Sequence, residues 1–167
     1  MPTKDLPEVD IFVLLAKSDG FLKRKEFKTS LDMLTHFFQS NTQSPHLSLF
    51  KDRIFTNLTE QVENLVHEKE KYIEAISVYL KNKATWLRDS NRVDTKFYVG
   101  QAYEKIYLLD DAGQYYRDCV NEIYGWTADS SKRHHIFESL PTADALQLRL
   151  ARVSADKDDF NKAAEYL

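Results

Sequence analysis

The sequence predicts an all-α protein built from antiparallel helix–turn–helix pairs. Apolar residues recur at helical spacing along most of the chain, and no stretch alternates as a half-buried strand does. Only 4 Gly and 4 Pro occur among 167 residues, too few for the turns of an all-β fold. Hydrophobic residues make up 43%, enough for a continuous core.

The elements follow in order. Pro7, Glu8 and Asp10 suit a first helical turn. Ile11, Leu14, Leu15 and Ser18 then share one face, and Asp19-Gly20 is expected to break that helix. A second helix is predicted from about Leu22 to Gln39, with Phe27, Leu31, Leu34 and Phe38 on one face, before the polar turn Ser40–Pro45. The third runs from about Leu47 to Lys69 through Phe50, Ile54, Leu58, Val62 and Val66. The polar run His67–Lys71 leads into a fourth helix with Tyr72, Ile76 and Tyr79, whose pattern extends to Trp86 and Leu87. Arg88–Arg92 is a turn. Val93–Leu109 and Asp111–Tyr124 are the next helices, with Asp110-Asp111 favourable near the second N-terminus. Gly125–Asp144 is the longest weakly patterned stretch. Thr142 is placed to cap a helix from Ala143 to Ala155, Asp156–Asp159 turns the chain, and Phe160–Leu167 begins a last helix.

The stretch GQAYEKIYLLDDAGQYYRDC, Gly100–Cys119, sets the phase of one pair. Gly100 and Tyr103 fall on its first helix, and Ala112, Tyr116 and Cys119 on its second. Small residues at Gly100 and Ala112 let the two helices approach closely, with Tyr103 and Tyr116 filling the space beside them. This packing offsets the helix cost of Gly100, about 1 kcal/mol relative to alanine.

The pattern resembles the tetratricopeptide repeat, a helix–turn–helix unit of about 34 residues. Lys96, Val99, Gly100, Tyr103, Leu109, Ala112, Tyr116 and Cys119 stand at its characteristic positions, with polar Lys96 where the family has a large residue and Tyr107 replacing the turn glycine. This clear unit spans about Val93 to Trp126. Leu150, Ala151, Phe160, Ala163 and Leu167 match a second unit, with Asp158 at the turn and Ser154 replacing the tyrosine. Ala151 follows Gly100 by 51 residues, which places an insertion at about residues 125–144. A weaker unit, about Thr56 to Asp89, has Tyr72, Ala75 and Tyr79 in place but Glu63 at a small position. The N-terminal hairpin fits only through Phe27, Ser30 and Leu34. The organisation expected is an irregular hairpin and start of a third helix over residues 1–55, then degenerate repeats over 56–167. The last unit stops inside its second helix, so the chain is expected to be a fragment, or its final helix to be short or completed by another chain.

The resemblance implies a right-handed α-solenoid that binds a peptide or partner protein on the concave face of its first helices. The groove positions fall on Asp94, Phe97, Gln101, Glu104 and Lys105, and on Ala145, Leu148, Arg152, Ala155 and Asp156. The Lys/Asn/Arg set with which some members grip a peptide's terminal carboxylate is missing. The alternative is a self-associating regulatory or assembly domain, a possible homo-oligomer, and after it a small helical enzyme.

The residues themselves give little sign of chemistry. No Gly-rich phosphate loop, nucleophile motif or CxxC pair occurs, so no enzyme activity and no cofactor are expected. His134-His135 point apart on a helix and lack further ligands, so no metal is expected. Asp110-Asp111 and Asp156–Asp159 read as caps and turns, Asp118 with Glu122 as a solvated face. Cys119 sits where the repeat wants a small buried residue. The basic run Leu22–Lys28 reads as the wet side of an amphipathic helix. A net charge of −3 gives no support for nucleic-acid binding. The longest apolar block, Ile11–Ala16, is too short to span a bilayer, and the N-terminus lacks the pattern of a signal peptide. With one cysteine, these features predict a soluble cytoplasmic protein, in which the sequon Asn57-Leu58-Thr59 carries no meaning.

Overall fold

The computed structural model describes residues 8–88, 93–128 and 142–167. The described residues form helices and no strand: α1 (Glu8–Lys23), α2 (Phe27–Ser40), α3 (Leu47–His67), α4 (Tyr72–Lys83), α5 (Val93–Lys105), α6 (Leu109–Ala128), α7 (Ala143–Asp156) and α8 (Phe160–Glu165). Among them no helix is long and apolar enough to cross a membrane. The chain divides into two compact units, one of Met1–Gln61 with Lys81–Ser90, the other of Val62–Leu80 with Asn91–Leu167. The boundaries fall inside α3 and α4.

The first unit is closed by side chains that the helical spacing brings together. Ser18 and Ser30 meet between α1 and α2, their hydroxyls 3.0 Å apart, and Ser30 also donates to the Ser18 carbonyl at 3.1 Å. Phe37 stacks on Phe50 with ring centres 3.9 Å apart, and Phe38 meets Trp86 edge to face. Asn57 is fully buried in α3, and its amide donates to the Phe27 carbonyl at 3.2 Å. The sequon is therefore inaccessible in the folded chain.

The expected break at Asp19-Gly20 is absent: α1 continues to Lys23. A partly exposed glycine costs a helix only about 1 kcal/mol, less than the tertiary contacts formed on both sides of it. The chain turns instead at Lys25, which has φ 60. A left-handed residue recurs in three further turns, at Glu70 (φ 51), Tyr107 (φ 61) and Asp158 (φ 59), but not in the turn between α2 and α3. In three of these turns the next N–H returns to a carbonyl five residues back, Glu26 to Phe21, Leu108 to Tyr103 and Asp159 to Ser154. This is the Schellman closure, which satisfies helix-end carbonyls. Two residues beyond each left-handed position the second helix opens, at Phe27, Tyr72, Leu109 and Phe160. Tyr107 and Asp158 thus occupy the turn conformation that the sequence assigns to them. Helix α5 stops at Lys105 rather than Leu109 for the same reason, and α4 stops at Lys83 rather than Leu87.

In the second unit α5 packs on α6, α6 on α7, and α7 on α8. The core joins Val93 and Phe97 of α5, Ala112, Tyr116, Cys119, Val120 and Ile123 of α6, and Leu146, Leu150 and Val153 of α7. Gly100 answers to the packing expected of it. A Cβ there would lie 2.7 Å from Tyr116 Cε1 and 3.3 Å from Tyr115 Cβ. Tyr103 stacks on Tyr115, ring centres 5.5 Å apart. Gly113 is buried and faces Val153, where a Cβ would stand 3.8 Å from Cγ1, so the α6–α7 contact is also close. Thr142 caps α7 as expected, accepting from the Ala145 N–H at 3.2 Å.

Gly100→Ala tests the seam. Overpacking costs about 1–3 kcal/mol, against a helix-propensity gain of about 1 kcal/mol. The Tyr116 ring is fully buried and its hydroxyl is tied down, so it has no room to retreat. Urea unfolding should show a net loss of up to about 2 kcal/mol; a stabilised variant would contradict the close approach.

Candidate functional site

One cleft in the second unit gathers polar side chains from three helices. It encloses about 280 Å³ and is lined by Val66 and His67 from the end of α3, Gln101, Glu104 and Lys105 from α5, Tyr107 and Leu109 from the following turn, and Arg149, Arg152 and Asp156 from α7. A larger hollow of about 520 Å³ around Tyr72, Ile73 and Ile106 is mostly apolar. Its polar lining residues are Glu70, Lys71, Glu74 and Ser77.

The floor of the cleft is a hydrogen-bonded network. Tyr116 donates its hydroxyl to Glu104 Oε2 at 2.5 Å, and Arg149 Nη1 donates to the same oxygen at 2.8 Å. Arg149 Nη1 also lies 3.3 Å from the Tyr116 hydroxyl. The guanidinium carbon sits 5.5 Å from the centre of the Phe97 ring and 5.8 Å from that of Tyr116, within cation–π range. Burial, then the hydrogen bond to Glu104, pushes the Tyr116 phenol well above its ordinary range, so it stays a donor. For Arg149 burial acts downward, but Tyr116 and Glu104 more than reverse it, and the guanidinium is held more firmly charged. At the α3 side His67 Nε2 meets Gln101 Oε1 at 2.9 Å. The His67 ring stands edge-on to Tyr98, whose hydroxyl donates to Glu63 at 3.2 Å. Glu63, at the first-helix position where the repeat pattern wants a small residue, is thereby used as an acceptor.

Of the residues singled out from the sequence, Gln101, Glu104, Lys105, Arg152 and Asp156 line this cleft. Asp94 and Phe97 are buried, 9% exposed each. Phe97 packs in the core, its ring 6.0 Å from Tyr116, and its replacement acts first on stability. Asp94 Oδ1 accepts from the Thr95 N–H at 2.9 Å. Leu148 is 60% exposed, and neither it nor Ala145 or Ala155 lines the cleft. Sequence reasoning passed over Arg149, His67 and Tyr107. Arg149 had a signal: it is flanked by Leu146, Leu150 and Val153, so a cation there borders the apolar face and needs a partner.

The other chemical candidates resolve into packing. Cys119 is buried, its thiol directed to the Val93 carbonyl at 3.6 Å. Burial, then the Glu122 carboxylate, pushes its pKa up to about 12. The folded thiol should therefore resist iodoacetamide at pH 8 and react only on unfolding; labelling without unfolding would contradict its burial. The unfolded thiol ionises near 9 and the folded one near 12, so the native state holds its proton longer. Stability should thus fall as pH rises through that window, in the same direction as Tyr79, which burial and then Asp118 raise to about 12. Asp110 pairs with Lys157. Among the described residues no cluster of His, Cys, Asp and Glu could hold a metal ion; His134-His135 lie outside them. No protein-family model and no curated protein matches the chain.

Proposed function

We propose that this protein is a non-catalytic scaffold of tetratricopeptide-like hairpins that binds a peptide or partner protein through the polar cleft of its second unit. One observation carries the reading. Gln101, Glu104, Lys105 and Arg152, which the repeat phase assigns to a binding face, line one cleft above a floor locked by Tyr116, Glu104 and Arg149. A rigid floor lowers the ordering cost of association. The same left-handed turn in the hairpins, at Lys25, Glu70, Tyr107 and Asp158, supports the likeness to a helical repeat. The titratable groups of the floor support binding over catalysis. They are committed to one another, and Tyr116 is moved away from the neutral range where a general base works. A reducing, cytoplasmic setting belongs to the proposal and suits a lone buried thiol.

The test compares capture from a cell extract by the full chain and by its Lys105→Glu/Arg152→Glu variant. Both positions are exposed, so the variant should keep its helical circular dichroism. Proteins retained by the parent and lost by the variant are the expected result. Identical capture by both would reject the cleft as the binding face.

A further inference from the structure

We propose that the cleft takes a carboxylate, carried by an acidic side chain of the bound segment; the proposal rests on the scaffold reading of the same cleft. Arg149 is the receiving group. Its Nη1 is spent on Glu104 and Tyr116, while its Nε and Nη2 make no hydrogen bond among the described residues. A guanidinium has five N–H donors in a fixed plane. Here that plane is held by two aromatic rings and a carboxylate, and the side chain is still 37% exposed. The result is a pre-set fork with unspent donors, the geometry that carboxylates accept in a bidentate manner.

The charge around it points the same way. Glu104 balances Arg149, and Asp156 stands 3.9 Å from Arg152. Lys105 has no ion pair among the described residues. The lining thus holds three cations against two carboxylates, Lys105, Arg149 and Arg152 against Glu104 and Asp156. One bound carboxylate would balance them. A volume of about 280 Å³ lies at the lower edge of small-ligand sites and suits a single side chain rather than a whole helix.

The experiment titrates the full chain with N-acetyl-tetraglutamate amide and follows the backbone amide signals of positions 104, 105 and 149 by nuclear magnetic resonance, with the Arg149 Nε–H signal as a further reporter where that arginine is present. The controls are N-acetyl-tetraglutamine amide, N-acetyl-tetraglutamine with a free terminal carboxylate, and inorganic phosphate. A saturable shift with the glutamate probe alone is expected, weakened about tenfold or more in Arg149→Lys, a loss of about 1.4 kcal/mol, and also in Lys105→Ala. Arg149→Lys keeps the charge, so its loss isolates the planar donors. Lys105→Ala, at an exposed position, serves even where Arg149→Lys disturbs the floor. Equal shifts with tetraglutamine amide, tighter binding of the free chain end or of phosphate, or full affinity in both variants would each overturn the proposal. If tetraglutamate fails while Lys105→Glu/Arg152→Glu still loses its captured partner, the carboxylate assignment falls and the scaffold reading stands.

Discussion

Tyr116→Ala should destabilise the second unit by about 3–5 kcal/mol, the range for deleting a buried aromatic ring. The ring is fully buried between Gly100, Phe97 and the core of α6. Its loss leaves a cavity that the backbone fills poorly, because α5 already approaches α6 as closely as glycine permits. The hydroxyl adds a second effect. Without it Glu104 keeps only Arg149, and Arg149 loses one of its two supporting rings. Tyr116→Phe separates the two contributions, since it keeps the ring and removes only the hydroxyl. It should cost about 1–3 kcal/mol. Equilibrium urea unfolding measures both. A loss below about 1 kcal/mol for Tyr116→Ala would contradict the position of this ring in the seam.

Phe50→Ala is the corresponding change in the first unit, again expected to cost about 3–5 kcal/mol. Phe50 is fully buried and stacks on Phe37 at 3.9 Å with the planes 15° apart, so truncation exposes both faces of the contact. Hydrogen exchange gives the sharper readout. Amides of α2 and of α3 up to Gln61, which belong to the first unit, should lose protection before those of α5 and α6. Uniform loss along the whole chain would show that the two units do not unfold separately. Phe50→Leu restores much of the volume and should recover most of the stability.

The all-helical class was legible because amphipathic periodicity survives composition. Ser18 and Ser30, Gly100 and Tyr116, and Leu34 and Phe50 lie where phase puts them, whereas α2 buries Phe37 in place of the expected Phe38. The turns were less legible. Lys25 and Glu70 adopt a left-handed backbone without the glycine or asparagine that announces it, whereas Asp19-Gly20 carries that announcement and stays helical. For the site, Gln101, Glu104, Lys105 and Arg152, which phase assigns to a shared face, line one cleft. Phase failed for Asp94 and Phe97 because the first half of α5 is enclosed: Val93, Asp94, Thr95, Phe97 and Val99 are all buried. A helix covered on most sides has no single wet face for periodicity to find. Arg149 escaped because its role depends on Glu104, 45 residues earlier, a separation that no local pattern spans.

The Schellman-closed hairpins also bear on how quickly the chain reaches its native state. The hydrogen bonds that lock them join residues only 12 apart, Ser18 with Ser30 and Glu104 with Tyr116. Such short loops close in well under a millisecond, and chains dominated by local contacts fold fast. The late event in the second unit is then the docking of α7, where Arg149 must reach Glu104 across 45 residues. The floor of the cleft would be assembled last, after the hairpin that supplies its carboxylate is already in place.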